Sequence, residues 1–110
     1  MGKITNAILM LNYLNTGNKL EKTKKFINHL KNNNCNIYII TGRNENKREV
    51  TENWLKKHNI CYDNIIFDDK YKLETCKNLK INYFFDDSLK VVKLLNVNNI
   101  KAYLIDEVGK

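Results

Sequence analysis

The sequence predicts an α/β protein, a three-layer α/β/α sandwich around a five-stranded parallel sheet. Two observations carry that prediction. Five short, continuously apolar runs alternate with charged segments in which apolar residues recur at helical spacing. The runs lack the in/out alternation of a sheet with one wet face, so each reads as a strand buried on both sides and joined to the next by a helical crossover.

The elements follow in order. AILML at residues 7–11 is the first strand. Residues 19–31, KLEKTKKFINHLK, set Leu20, Phe26, Ile27 and Leu30 on one helical face. NIYII (36–40) is the second strand and ends at Thr41-Gly42. Residues 45–58 place Val50, Trp54 and Leu55 on a second helical stripe. NIIF (64–67) is the third strand, followed by a helix over about 71–79. NYFF (82–85) is the fourth. Residues 88–95 form a helix with Ser88 as its N-cap and Val91, Val92, Leu94 and Leu95 as its apolar residues. KAYLI (101–105) is the fifth strand.

The 110 residues make one domain, 1–110, with 43% hydrophobic residues and a single core. No apolar run reaches the roughly 20 residues of a membrane span, and the N-terminal stretch lacks a leader cleavage site. Three cysteines, Cys35, Cys61 and Cys76, are odd in number and lack metal-ligand spacing, which predicts a reduced, cytoplasmic protein without a zinc site. The formal charge of +7 raises nucleic-acid binding. The lysines are scattered over helical wet faces, however, and Tyr38, Phe84 and Phe85 fall in buried strands, so that reading ranks last. The excess of Asn, Lys and Ile is more simply a sign of AT-rich coding DNA. A basic surface still favours anionic ligands.

In open parallel sheets, ligands bind beyond the C-terminal ends of the strands. The second strand ends in Thr41, Gly42 and Arg43; the third leads through DDKYK to Lys72; the fourth ends in Asp86, Asp87 and Ser88. A Thr hydroxyl with the backbone amides after it can hold a phosphate oxygen, and a Lys can neutralise its charge. Carboxylates at a neighbouring strand end can hold Mg²⁺. Each residue also has a plain structural role open to it: strand-end hydroxyl, wet helix lysine, helix cap.

This order of elements resembles the haloacid dehalogenase (HAD) superfamily, in particular its small capless phosphatases and nucleotidases. IYIITGRNENKREVTENWLKKHNI resembles the second motif with its helix, and KLETCKNLKINYFFDDS the third and fourth. The resemblance implies a Rossmann-like, HAD-like fold without a cap domain. It assigns Thr41 and Gly42 to phosphate binding, Lys72 to phosphate binding and orientation of the nucleophile, and Asp86 and Asp87 to a Mg²⁺ site.

The family's first motif, Asp-x-Asp-x-Thr/Val, maps onto Asn12, Leu14 and Thr16. Asn12 stands at the nucleophile position, where a neutral carboxamide cannot form an acyl-phosphate. Leu14 stands at the acid/base position, a loss worth about 10²–10⁴-fold in rate. The resemblance therefore implies an impaired or inactive phosphohydrolase domain, with Mg²⁺ bound weakly or not at all, that acts by binding a phosphorylated small molecule, a nucleotide or a protein partner. The alternatives are an active Mg²⁺-dependent phosphomonoester phosphatase or 5′-nucleotidase and, last, a basic nucleic-acid-binding domain.

Overall fold

The computed structural model describes residues 5–10, 19–86 and 88–104. Within them strands and α-helices alternate: β1 (Thr5–Met10), α1 (Lys19–Asn32), β2 (Cys35–Ile40), α2 (Arg48–Lys57), β3 (Asn64–Ile66), α3 (Lys72–Asn78), β4 (Tyr83–Asp86), α4 (Leu89–Val97) and β5 (Lys101–Leu104). The strands pair in parallel in the order β3-β2-β1-β4-β5. The α/β class with parallel strands is the one the apolar pattern predicts.

The chain starts on the middle strand, winds outward to β3, then crosses back to β4 on the other side of β1. Right-handed crossovers place helices on opposite faces when the winding direction reverses. Accordingly, Ile27 of α1 and Leu55 of α2 pack with Cys35, Ile37, Ile39 and Phe85. Cys76 of α3 and Val92 and Leu95 of α4 pack on the other face, with Ile40, Phe84 and Ala102. Adjacent strand residues point to opposite faces, so Phe84 and Phe85 pack in the two layers of the core on either side of the sheet. Phe85 meets Phe26 edge-to-face at 4.8 Å between centroids.

Two sequence expectations are corrected on the helices. Val50 is 61% exposed; the buried residues of α2 are Thr51 and Leu55, with Trp54 partly buried against the core. The segment 45–58 is also not one helix, because a 3₁₀ turn, Glu45–Lys47, precedes α2 and is capped by Asn44. On α4, Val92 and Leu95 are buried while Leu94 is half exposed. Ser88 is the N-cap of α4, as expected, accepting a hydrogen bond from the Val91 amide at 3.4 Å.

The asparagines have structural work to do. Asn34, Asn59 and Asn99, with Lys80, hold positive φ just beyond α1, α2, α4 and α3. After α2 the Ile60 amide donates to Leu55 O at 3.0 Å and Asn59 to Lys56 O at 3.1 Å. Ile81 and Ile100 make the same return bonds, to Cys76 O at 2.9 Å and Leu95 O at 3.0 Å. These are left-handed helix stops in which the residue after the turn is a core isoleucine. Asn6 ties the N-terminal ends of three strands: its amide donates to Asn82 Oδ1 at 2.8 Å, and its Oδ1 accepts from Asn36 Nδ2 at 3.3 Å. That explains why the polar Thr5 and Asn6 begin β1, two residues before the expected start.

Candidate functional site

The direction of winding reverses between β1 and β4, so the crevice of this sheet lies at their C-terminal ends. Asp86 is the last residue of β4. It shares the side-chain parity of Phe84 and so points to the α3/α4 face, where α3 opens with Lys72. Lys72 Nζ donates to Asp86 Oδ2 at 2.8 Å. The Asp86 side chain is 1% exposed and that of Lys72 is 22% exposed. Asp86 Oδ1 accepts the Ser88 amide at 2.9 Å. The carboxylate therefore bridges the lysine and the turn that starts α4.

Thr41 follows β2 directly and is 1% exposed. Its Oγ1 accepts the Arg43 amide at 3.1 Å, which leaves the hydroxyl proton available to another acceptor. Gly42 is not explained by crowding: a Cβ there would meet Asp69 O at 3.9 Å, an ordinary contact. The register aligns Met10 with Ile40 and Leu9 with Phe85. Thr41 and Asp86 therefore stand at neighbouring levels on the same rim, about 10 Å apart across β1 at two strand spacings. Asn12, Leu14 and Asp87 lie outside the described residues.

Sequence reasoning missed Asp68 and Asp69. The run IIFDDK repeats the pattern of YFFDDS, apolar residues ending in an acid pair, and that was the available signal. Asp68 adopts φ 57 and its Oδ2 accepts the Glu45 amide at 2.9 Å, while its own amide donates to Arg43 O at 2.9 Å. Asp69 Oδ1 accepts the Tyr71 amide at 2.9 Å and the Thr75 hydroxyl at 3.2 Å, and the Asp69 amide donates to Thr41 O at 3.2 Å. This first acid pair thus fastens the Thr41–Arg43 loop to the start of α3, which sets where Lys72 emerges.

Burial, with help from Asp69 and against the pull of Lys72, pushes the Cys76 thiol up to about 12. Cys76 lies beneath Lys72 as a packing residue, not as a nucleophile.

Residues 13–96 match the family model described as HAD superfamily, subfamily IIIB (acid phosphatase). The chain belongs to this HAD subfamily. A nucleotidase of Clostridium acetobutylicum is 32% identical over 95 residues, covering 84% of this chain and 49% of that protein. This HAD chain therefore spans about half the length of that relative. Among solved structures, an uncharacterized protein from Corynebacterium glutamicum superposes with a TM-score of 0.67 at 10% identity, covering 93% of this chain and 85% of the other. A chain of the Pnkp1/Rnl/Hen1 complex superposes equally, with a TM-score of 0.67 at 18% identity, covering 92% of this chain and 46% of its own. Both structures share the fold alone.

HAD phosphatases generally use Mg²⁺. Magnesium is held by one or two carboxylates together with substrate phosphate and water. Among the described residues no group of three His, Cys, Asp or Glu side chains is placed to hold a metal. Asp86, the carboxylate on the rim, has an ammonium on one oxygen and an amide on the other. These residues alone do not fit the ion. Among the described residues no helix is long and apolar enough to cross a membrane.

Proposed function

We propose that this HAD domain binds a phosphorylated small molecule on the rim formed by Thr41, Gly42 and Lys72. Hydrolysis in this reading is lost or severely weakened. The observation that carries the proposal is the contact of Lys72 with Asp86 at 2.8 Å beside the switch point of the sheet. It sets a cation beside the C-terminal strand ends, where open parallel sheets take ligands, and Thr41 and Gly42 follow β2 at the same end.

The chemistry of the first motif argues for binding over turnover. Asn12 in the nucleophile position cannot form an acyl-phosphate, and Leu14 cannot relay a proton. Asp86 and Asp87 are left as half of a Mg²⁺ site. Phosphate release from a panel of phosphomonoesters with Mg²⁺ tests this reading, with Asn12→Asp assayed beside the natural chain. The natural chain is expected to show no release above background while inorganic phosphate still binds, as read by calorimetry. Clear turnover that vanishes in Lys72→Ala or Asp86→Ala would overturn it.

The relation to the Clostridium nucleotidase, at 32% identity over 84% of this chain, favours a second reading. That reading is an active phosphomonoesterase or 5′-nucleotidase using a different nucleophile, and the same assay separates the two.

A further inference from the structure

We propose that the outward face of α4, with the groove that separates it from the start of α3, docks an acidic amphipathic helix of a partner protein. The proposal goes beyond the phosphate-rim reading and does not depend on it.

Six of the nine residues of α4, LKVVKLLNV, are Leu or Val. A helix that is apolar all round is ordinarily buried all round. Here the domain buries only Val92 and Leu95. Leu89 and Leu94 remain 50% exposed and Val97 77% exposed, and at 3.6 residues per turn all three fall on the half of the helix turned away from the sheet. The apolar surface continues across a groove of about 400 Å³, with Val91 and Leu94 on its α4 side and Tyr71 and Leu73 on the other. Tyr71 is exposed on a backbone that is held in place, because Asp69 Oδ1 accepts its amide at 2.9 Å. A contiguous apolar patch with a groove in it is the kind of surface that receives the side chains of a helix.

The charge around the groove selects the partner. Lys70 edges the groove, and Lys90 and Lys93 stand exposed on α4. No carboxylate among the described residues pairs with any of the three. Lys72, the other lysine of the groove, is neutralised by Asp86. There is no acidic residue on α4, and Glu74 is the one carboxylate among the described residues that line the groove. An apolar helical face flanked by carboxylates complements this surface, and one flanked by lysines is repelled. A second copy of the chain would bring the same lysines together across a twofold interface, at a formal charge of +7 on each chain. A lipid surface is flat and would leave the groove between the helices unfilled.

A labelled peptide of about 15 residues, near the length at which an isolated helix holds together, tests the inference by fluorescence anisotropy. Leucines at i, i+3, i+4 and i+7 form its apolar face, with glutamates and alanines elsewhere; a twin carries lysines in place of the glutamates. The acidic peptide is expected to bind saturably, and the basic twin at least about tenfold more weakly. Leu94→Gln with Val97→Gln is expected to weaken the acidic peptide by at least about tenfold, the scale of one buried aliphatic side chain. Lys90→Glu with Lys93→Glu is expected to weaken it similarly and to flatten its salt dependence. All four positions are exposed, and thermal melting checks that each variant is folded. Absence of saturable binding by the acidic peptide overturns the proposal. Equal binding of the two peptides, or an affinity that survives both double variants, does the same. A dimer in sedimentation velocity, or binding to phosphatidylserine vesicles, that Leu94→Gln with Val97→Gln abolishes also overturns it, by placing a second copy or a lipid surface on this face.

Discussion

Lys72 and Asp86, fourteen residues apart in sequence, meet at 2.8 Å with the carboxylate almost fully enclosed and the lysine partly open to water. The two are unequal partners. Lys72 can turn to solvent if it loses Asp86, but Asp86 cannot find water if it loses Lys72.

That asymmetry predicts different costs for the two deletions. Lys72→Ala is expected to destabilise the domain by about 2–4 kcal/mol, because it strands a buried charge. Asp86→Asn still accepts the Ser88 amide and is expected to cost about 1 kcal/mol, the scale of one hydrogen bond. Urea unfolding of both variants and of the double mutant checks the order.

Lys80 occupies a left-handed position, φ 53, that asparagine fills after the other helices. A side chain with a Cβ costs roughly 1–2 kcal/mol there. Lys80→Gly is therefore expected to stabilise the domain by about 1 kcal/mol, seen as a raised Tm. Asn59→Val is expected to lower stability by a similar amount.

Asp63 predicts part of the acid limb of stability. Burial pushes its carboxyl up, but the Ile37 amide at 2.7 Å and the Lys31 ammonium outweigh it and hold it below the ordinary 3.8. A depressed folded value means that the stabilisation is present above about pH 4 and is lost as pH falls through the lower folded value. Asp63→Asn is expected to flatten the stability profile in that window, measured by denaturant titration from pH 2 to 6. High salt is expected to shrink the difference, since Lys31 is partly exposed.

The cysteines should react in sequence. Cys61 is exposed, whereas Cys35 and Cys76 are buried. Burial raises the Cys35 thiol and carries Cys76 to about 12. Iodoacetamide at pH 8, followed by mass spectrometry, is expected to modify Cys61 first and the other two only on unfolding.

The alternation of strands and helices and the position of Lys72 and Asp86 at element ends were legible from residue type and apolar runs, whereas their direct contact needed the fold. Apolar periodicity finds a helical stripe but not its margins, so Val50 was placed on the stripe of α2 although it is exposed. Asp68-Asp69 and Asp86-Asp87 look alike in sequence, and only tertiary partners separate a loop clamp from an ion pair. The asparagines looked like coding bias; three of them take backbone conformations that few other side chains tolerate.

The left-handed stops after the helices, with the Asn6 knot, all lie at the end of the sheet where strands begin. The C-terminal strand ends, where open parallel sheets take ligands, lie at the opposite end. The turns that assemble the sheet and the residues of that rim are thus separate sets. Residues along that rim can therefore be exchanged without loosening the turns that assemble the sheet, and only a change at Lys72 or Asp86 is felt at both.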